Sequence, residues 1–414
     1  MASRLRAWTV RAIAAAALLM LAVAPHGARA EPVKLTWFMW SGSEPEVTAW
    51  KHVAALVTEK YPDITVEFQT TSFPDYWTKL PALAAAGKLP DIVSLQSLRT
   101  AGFSGLMEPL DSRIKADNFD IGAFEPSIVK GLSREGKIYA LPYDFGPLVI
   151  FYNVDAFQKA GLTPPHPGWT EAEFMQDAKA LTKDGSFGFA VWQPDAFIAF
   201  ARSKGAQYLT AKGELDLTNP GLEKAFTAYA ALVGTDKVAP LLPASGTQSS
   251  QLAAARFTAG NVAMIVNGPW QLINIKKQAS FHVGLAPVPV REAGSISISA
   301  GSGFGIATTS KNKEAAWKAI QVMTGPDAEQ YLAEQGRAFA ARSADQKFWY
   351  DSAAQGVEGA RDAIAAALKT AEPYVTTPNW STVASGFEQY APLAYAGSES
   401  PSKVLATIQD LATQ

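Results

Sequence analysis

Apolar residues recur at two different spacings near the start of the chain. Over 33–39 they alternate with Lys34, Thr36 and Phe38, and over 64–68 they alternate with polar residues, which predicts two β-strands. Between these strands, apolar residues three or four positions apart over 47–57 indicate a helix with one buried face. A second predicted helix over 75–86 leads into a short apolar strand over 91–95. Strand–helix–strand–helix–strand with short connections predicts a doubly wound α/β unit.

A second α/β unit is predicted after a connection that begins near residue 141. The expected strands lie over 148–152, 187–191 and 262–266, and the expected helices over 155–160, 218–233, 311–323, 360–371 and 401–411. Residues 291–305 are rich in Gly and Ser, and we expect the glycine-rich run over 301–305 to be flexible. The length of 414 residues favours two domains.

The first thirty residues have the pattern of a cleavable export signal. Three arginines among the first eleven residues precede an apolar run over 12–24 and an Ala-x-Ala site at 28–30. We therefore expect residues 1–30 to be removed and the mature chain to start at Glu31. The sequence contains no Cys, which excludes a lipid-anchoring Cys, a disulfide and a Cys-ligated metal. No later stretch is long and apolar enough to span a membrane, so we predict a periplasmic protein.

Net charge and the absence of catalytic and metal-binding motifs limit the classes of function that the sequence allows. The sequence has 36 Lys and Arg against 38 Asp and Glu, and residues 1–30 hold four Arg and no acid, so the mature net charge is −6. Without a basic tract, nucleic acid is not an expected partner. The chain has no H-E-x-x-H, Walker loop or G-x-S-x-G elbow, and its mature histidines at 52, 166 and 282 are scattered. We therefore expect no metal site and no cofactor.

The most informative local pattern is an apolar run that stops abruptly in a turn. Residues 262–266 have the length of a buried strand, and Asn267-Gly268-Pro269 ends it. Trp270 then stands at the carboxyl end of the strand, where open α/β sheets bind ligands. A flat apolar ring beside an amide suits a sugar, which offers C–H faces for stacking and hydroxyls for hydrogen bonding. The alternative is a core strand whose terminal Trp only packs.

An ordered series of short motifs resembles the family 1 extracellular solute-binding proteins of ABC sugar importers, and among them the maltose-binding proteins. Each motif is weakly specific, whereas their order over most of the mature chain is highly specific. The motifs lie at residues 37–40, 75–80, 87–92, 136–143, 151–153, 159–162, 169–170, 256–270 and 313–318. The resemblance implies an α/β fold of the periplasmic-binding-protein type (type II), in which two lobes close on a ligand like a clamshell by hinge motion.

The resemblance also implies the division of the chain and its partners. The N-terminal lobe is expected to hold residues 31–141 and 302–338, and the C-terminal lobe residues 146–298 and 343–414. Hinge crossings are expected at 142–145, 299–301 and 339–342. The implied partners are a small carbohydrate and the membrane permease subunits of an ABC importer, with the protein acting as a monomer that does not itself span the membrane.

Matching the family's motifs residue by residue implies a set of ligand-binding groups. These are Trp40, Ser41, Ser43, Glu44, Asp75, Gln96, Ser97, Arg99, Asp144, Trp192, Gln193, Asp195, Asn267, Trp270, Gly301, Ser302, Arg337 and Trp380. Some of them have structural alternatives. Ser43 and Asp75 can cap helices, and Glu44 can be a favourable first-turn acid. Trp40 can pack in the core, and Arg337 can either reach the ligand or pair with Asp144.

Two departures from the maltose-binding proteins argue against long maltodextrins. This chain has Gly42-Ser43 where those proteins have a charged pair, and Ala384-Ser385 where they have a further cleft aromatic. We therefore predict a receptor for a mono- or oligosaccharide, and a modified sugar or a polyol fits as well. An anion of the glycerol phosphate type is an alternative that would need cations such as Arg99 and Arg337. The enzyme alternative is a glycoside hydrolase, which needs two carboxyls flanking one bond; our prediction is that the chain is not an enzyme.

Overall fold

Two large β-sheets flanked by helices form the framework of the protein. The computed structural model describes residues 32–243 and 249–413, so the predicted signal peptide, residues 1–30, lies outside the described residues. The strands are β1 (Val33–Trp40), β2 (Ile64–Thr71), β3 (Ile92–Gln96), β4 (Ser133–Arg134), β5 (Lys137–Ile138), β6 (Leu141–Pro147), β7 (Val149–Asn153), β8 (Phe187–Ala190), β9 (Val262–Asn267), β10 (Val283–Ala286), β11 (Ile298–Ile306) and β12 (Glu372–Pro373).

The α-helices of the described residues lie between and after these strands. They are α1 (Glu44–Lys60), α2 (Phe73–Ala85), α3 (Thr100–Phe103), α4 (Asp111–Ala116), α5 (Pro126–Gly131), α6 (Val154–Ala160), α7 (Glu171–Leu181), α8 (Asp195–Ser203), α9 (Pro220–Gly234), α10 (Ser249–Thr258), α11 (Leu272–Gln278), α12 (Lys313–Met323), α13 (Pro326–Glu334), α14 (Gln346–Phe348), α15 (Ala360–Thr370), α16 (Trp380–Tyr395) and α17 (Pro401–Thr413). A 3₁₀ turn over Pro269–Gln271 joins β9 to α11.

The first sheet contains the doubly wound unit that the alternation of apolar residues predicts. Its strand order is β12-β11-β3-β1-β2, and β6 also pairs with β11. β1 runs parallel to β2 over its whole length, from Val33 opposite Ile64 to Trp40 opposite Thr71, and it also runs parallel to β3. Since α1 and α2 make the crossovers, the carboxyl ends of these three strands meet at one edge of the sheet.

The second sheet has the order β10-β7-β9-β8. Its central strand β9 is parallel to β8 and antiparallel to β7, and every residue of β9 is buried. This confirms the buried strand predicted over 262–266. Because β7 runs antiparallel to β9, the start of β7 lies beside the carboxyl end of β9, with Val149 opposite Asn267.

A buried aromatic cluster around Trp37 connects strands of the first sheet to the helix α1. The Trp37 ring meets Trp50 of α1 and Phe304 of β11 edge-on, at centroid distances of 5.7 and 5.2 Å. Its indole Nε1 donates to Ser94 Oγ of β3 at 3.1 Å, so the buried polar atom is satisfied. These contacts tie β1, β3, β11 and α1 together just beneath the residues that follow the strands.

The glycine-rich run over 301–305 is not the flexible segment that its composition predicts. It lies in β11, buried between β3 and β6, and pairs with both strands. A Cβ atom on Gly301 would clash with the carbonyl oxygen of Asp144, and one on Gly303 with that of Leu141. Glycine is required here because two backbones approach closely, and the same composition is found in flexible loops.

The three stretches predicted as hinge crossings lie side by side. Residues 299–301 of β11 pair with residues 145–147 of β6, and β6 continues through Leu148 into β7 of the second sheet. The third stretch joins them, because the Phe145 amide donates to the Phe339 carbonyl at 3.1 Å and Asp144 forms a bridge with Ala340.

Candidate functional site

A cleft of about 930 Å³ opens between the two sheets. One wall carries residues that follow β1 and β3, the floor is made by β6 and β11, and the other wall carries residues that follow β8 and β9. Carboxyl ends of strands from both sheets therefore face the same space, which is where open α/β sheets bind ligands. The volume falls within the range of about 300–1,000 Å³ that is typical of small-molecule sites.

Most of the residues predicted to bind ligand line this cleft, although they are scattered along the chain. Those on the cleft wall are Trp40, Ser41, Gln96, Arg99, Asp144, Trp192, Gln193, Asp195, Asn267, Trp270, Gly301, Ser302, Arg337 and Trp380.

The remaining predicted residues, Ser43, Glu44, Asp75 and Ser97, do not line the cleft. Ser43 is the N-cap of α1, as its structural alternative anticipated, and Glu44 is an exposed acid in the first turn. Ser97 Oγ accepts a hydrogen bond from the Gly301 amide at 3.2 Å and so stabilises the β11 backbone at the floor of the cleft.

The predicted capping role of Asp75 is wrong. The helix begins two residues earlier, at Phe73, and Ser72 is its N-cap. The Ser72 hydroxyl accepts a hydrogen bond from the Asp75 amide at 3.3 Å, while the Asp75 side chain is exposed in the first turn. The sequence Ser72-Phe73-Pro74 contained the correct signal, since Ser is a preferred cap and Pro is favoured in the first turn.

Arg337 lies at the floor of the cleft and is buried between two carboxylates. Its Nη1 is 3.3 Å from Asp144 Oδ2, and its Nε is 3.9 Å from Glu46 Oε2. The guanidinium group also lies 4.6 Å from the centre of the Trp50 ring. Of the two roles considered for Arg337, the structure shows the pairing with Asp144, and this pairing leaves the group little freedom to bind an anion.

Burial and charge act in opposite directions in this cluster. Burial raises the pKa of Asp144 to about 6, although the adjacent Arg337 opposes the increase. For Arg337, burial by itself would lower the pKa, but Tyr143, Glu46 and Asp144 outweigh it and hold the pKa above its ordinary value. Arg337 is therefore charged at neutral pH, whereas Asp144 is close to its titration range.

Glu46 is a cleft residue that sequence reasoning missed, because an acid three residues after Ser43 is also the pattern of a capping box at the start of a helix. The Ser43 hydroxyl does accept from the Glu46 amide at 3.4 Å. The Glu46 carboxylate, however, accepts from the Gly42 amide at 3.0 Å and from Asn274 Nδ2 at 2.7 Å. It thereby links the first wall to α11 on the second wall.

Among the predicted cleft aromatics, Trp270 differs from the others in its exposure. Trp40, Trp192 and Trp380 are 6%, 5% and 2% exposed, so each reaches the cleft only by an edge. Trp40 packs against Phe73, Tyr76 and Trp77, so most of its ring lies in the core, which is the alternative to ligand binding that the sequence left open. Trp270 is only partly buried, and its indole lies over Gly268 at the carboxyl end of β9. Its ring is therefore more available for stacking than those of the other three tryptophans.

A second polar network lies where α8 and α16 reach the cleft. Arg99 Nε donates to Gln96 Oε1 at 3.2 Å, its Nη1 donates to Ser381 Oγ at 3.1 Å, and its guanidinium lies 4.3 Å from the Trp77 ring centre. Burial lowers the pKa of Arg99 to about 10, so the group is still charged at neutral pH. Asp195 accepts from the Tyr374 hydroxyl at 2.9 Å.

Glu388 is the second acidic cleft residue that the sequence did not reveal as a site residue. Its carboxylate accepts from the amide and hydroxyl of Ser249 at 3.1 Å each, and from Gln193 Nε2 at 3.4 Å. Burial raises the pKa of Glu388 to about 7, and the negative charge of Asp195 adds to the increase. Helical periodicity could have found it, because Trp380, Ala384 and Glu388 follow one another at intervals of four along α16, and all three line the cleft.

Two further properties bear on the class of protein. Residues 32–243 and 249–413 contain no group of three or more His, Asp or Glu side chains arranged to hold a metal ion. None of the helices in these ranges combines the length and the apolar character needed to cross a bilayer.

Fold and cleft together define a two-lobed ligand-binding protein. The family model described as "Bacterial extracellular solute-binding protein" matches residues 41–330, which is well over half of the chain. The chain therefore belongs to the bacterial extracellular solute-binding protein family.

Individual relatives agree with this assignment. A binding protein of Brucella abortus (strain 2308) is 26% identical over 338 residues, which cover 78% of each chain. The maltotriose-binding protein of Pyrococcus abyssi is 25% identical over 311 residues, covering 71% of this chain and 64% of the relative. An ABC substrate-binding protein of Listeria monocytogenes, solved in complex with cycloalternan, superposes with a TM-score of 0.83 at 24% identity and covers 92% of this chain and 98% of its own. This superposition confirms the two-lobed α/β fold.

Proposed function

We propose that this protein captures a mono- or oligosaccharide in the cleft and delivers it to the permease subunits of an ABC importer. The observation that carries the proposal is the partly exposed indole of Trp270, which borders a cleft otherwise rich in polar side chains. A sugar ring can stack its C–H face on the indole while its hydroxyls bind carboxylates and amides. The printed names of relatives that bind maltotriose, lactose and mannitol support the same ligand class.

Both walls offer groups that suit hydroxyls. Asp144 and Glu46 can accept hydrogen bonds at the floor, and Gln96 and Asn274 carry amides on opposite walls. Charge-assisted bonds from hydroxyls to carboxylates are short and directional, which favours a specific orientation of the sugar. Ala384 lies on the wall beside Trp380 without adding an aromatic surface, which supports a ligand shorter than a long maltodextrin.

The lobe boundaries form part of the proposal. We assign residues 31–141 with 302–338 to the N-terminal lobe and residues 146–298 with 343–414 to the C-terminal lobe, joined at 142–145, 299–301 and 339–342. The contacts between β6, β11 and residue 339 support crossings that bend together. Ligand contacts from both walls would then stabilise the closed state, which the permease subunits recognise.

Two alternatives are less well supported by the cleft. An anionic ligand would need a cation that is free to bind it, whereas Arg337 is held by carboxylates and Arg99 is hydrogen-bonded to Gln96 and Ser381. A glycoside hydrolase needs a pair of carboxyls across the scissile bond, but Asp144 and Glu46 both face Arg337. Of the other two cleft carboxylates, Glu388 accepts hydrogen bonds from Ser249 and Gln193, and Asp195 accepts one from Tyr374. We accordingly propose a non-enzymatic receptor that acts as a monomer in the periplasm after removal of residues 1–30.

The proposal is tested by thermal unfolding of residues 31–414 against mono-, di- and trisaccharides, polyols and sugar phosphates. At a thousandfold excess over Kd, a bound ligand adds about 4 kcal/mol of stability, which raises Tm by several degrees. Trp270→Ala should abolish the shift, whereas Tyr331→Ala, which changes an aromatic residue outside the cleft, should retain it. Recovery of the compound unchanged distinguishes a receptor from an enzyme. If no carbohydrate or polyol raises Tm, the sugar assignment is wrong.

A further inference from the structure

Asn274, on the second wall of the cleft, makes hydrogen bonds to two residues of the first wall. It lies in the first turn of α11, and its Oδ1 accepts from the Ser43 hydroxyl at 2.5 Å. Its Nδ2 donates to Glu46 Oε1 at 2.7 Å and to Gln271 Oε1 at 3.2 Å. An amide side chain offers two donor hydrogens and two acceptor lone pairs, so these contacts among the described residues leave one lone pair of Oδ1 for a ligand.

Capping of α1 does not explain the bonds across the cleft. As the N-cap, Ser43 uses its oxygen to accept from the Glu46 amide at 3.4 Å. That role does not use the hydroxyl proton, which Ser43 donates to Asn274. Likewise, Glu46 Oε2 accepts from the Gly42 amide at 3.0 Å, whereas the bond to Asn274 is made by Oε1. Both residues therefore keep their roles inside the first wall and bind Asn274 in addition.

A backbone hydrogen bond reinforces this contact. The Ile273 amide, one of the first-turn donors that have no partner within a helix, donates to the Gly336 carbonyl at 3.2 Å. In the proposed division of the chain, α11 belongs to the C-terminal lobe, whereas Gly336 and the two partners of Asn274 across the cleft belong to the N-terminal lobe. The first turn of α11 is therefore attached to the other lobe by a side chain and by the backbone. Bending at the crossings would separate these groups.

Each of these bonds joins two protein groups, so none of them requires a ligand. Glu46 is 6% exposed, which shields its bond to Asn274 from solvent. A hydrogen bond to a charged group changes an equilibrium about tenfold or more, so the contact favours the closed arrangement. A second set of contacts between the proposed lobes, from Ser381 to Arg99 and from Thr376 to Leu98, acts in the same direction.

We propose that Ser43, Glu46 and Asn274 form a clasp that holds the two lobes together before the ligand binds. The inference goes beyond sugar binding, but it rests on the proposed lobes and their hinge motion. The clasp also acts on the stacking ring, because Trp270 lies in the 3₁₀ turn that α11 continues, and Gln271 of that turn accepts from Asn274. A ligand then needs less differential affinity for the closed state to complete the shift in population.

The test measures the distance between the lobes in the mature protein without ligand. The chain contains no Cys, so spin labels attach only at introduced sites. Ala82→Cys in α2 and Ala259→Cys directly after α10 place one label on each proposed lobe, at exposed positions outside the cleft. Double electron–electron resonance gives the distribution of distances between the labels. With the clasp intact, we expect a major component at the separation that the structure gives for these two positions.

Two variants break the clasp, and a third is the matched control. Glycine is tolerated at an N-cap, so Ser43→Gly removes the hydroxyl while α1 keeps its start. The ratio of short to longer distances should fall about threefold for Ser43→Gly, which removes a bond between neutral groups, and about tenfold for Asn274→Ala, which also removes the bond to the carboxylate. Thr170→Gly changes the N-cap of α7 outside the cleft and should keep the distribution of the intact protein.

The other outcomes separate the clasp from the hinge motion. If the short component is missing from the intact protein, or if both variants keep its proportion, the lobes move without being held by the clasp, and the inference is overturned. An equal shift in Thr170→Gly would also overturn it, because lost capping would then be the cause. If every protein gives only the distance in the structure, the proposed hinge motion fails together with the inference. If Asn274→Ala does not fold, Ser43→Gly still decides.

Discussion

The position of Trp270 depends on the absence of a side chain at Gly268. The Gly268 backbone has φ −102° and ψ 163°, an extended conformation that alanine adopts without strain. A Cβ atom added there would nevertheless come closer than 3.0 Å to three atoms of the Trp270 indole, where ordinary contact is 3.4–4 Å. We therefore expect Gly268→Ala to keep the backbone conformation and to displace the Trp270 indole.

The size of the effect follows from that overlap. To reach ordinary contact the indole must withdraw by roughly 1 Å, since side chains in native structures do not interpenetrate. Because Trp270 is only partly buried, the ring can move into the cleft, and we expect the free energy of unfolding to fall by about 1 kcal/mol or less, the low end for overpacking. Stacking on the sugar depends on ring position, so binding should lose about 1.4–2.8 kcal/mol, which is a 10- to 100-fold increase in Kd.

The assay is calorimetric titration of wild-type protein, Gly268→Ala and Trp270→Ala with the saccharide identified by thermal unfolding, and chemical denaturation measures stability in parallel. Gly105→Ala is the control, because no atom lies within 4 Å of an added Cβ there and the site is outside the cleft. Its Kd should equal that of wild type. If Gly268→Ala keeps wild-type affinity while Trp270→Ala loses it, the argument from steric overlap is wrong.

Three further predictions concern buried charges. Burial raises the pKa of Glu329 well above its usual range and so favours the neutral carboxyl, which Gln resembles; Glu329→Gln should therefore change the free energy of unfolding by less than about 1 kcal/mol in urea titrations, and a larger loss would contradict this reasoning. Arg337→Gln leaves Asp144 and Glu46 buried without their counter-charge and should cost about 3–5 kcal/mol, and a denaturation midpoint equal to wild type would contradict the ion-pair cluster. Because folding raises the pKa of Glu388 from 4.5 to about 7, its contribution to stability is complete below pH 4.5 and is lost as the pH rises through 7. Unfolding free energies measured from pH 5 to 8 should therefore decline less steeply for Glu388→Gln than for wild type, and identical slopes would refute the assignment.

The strands and helices that flank the cleft were predictable because their signals are local. The alternation over 33–39 became β1, and the apolar run over 262–266 became β9. The start of α2 was misplaced by two residues, because Asp75 was favoured over the equally local signal of Ser72 and Pro74. The glycine-rich run over 301–305 misled for a different reason, since composition alone cannot distinguish a flexible loop from a strand whose neighbours approach closely.

The sequence by itself determined the α/β class and the family, and 14 of the 18 residues that it singled out line the cleft, including Trp270 and Asp144. Periodicity and turn residues depend on neighbours along the chain, and family motifs keep their order, so each can be read without coordinates. The tertiary structure alone decided what these groups touch. Asn274 meets Glu46 across 228 residues of chain, and Ser249 meets Glu388 across 139. Which charged groups are paired follows from how the two lobes fold against each other, because contacts at such separations leave no local pattern in the sequence.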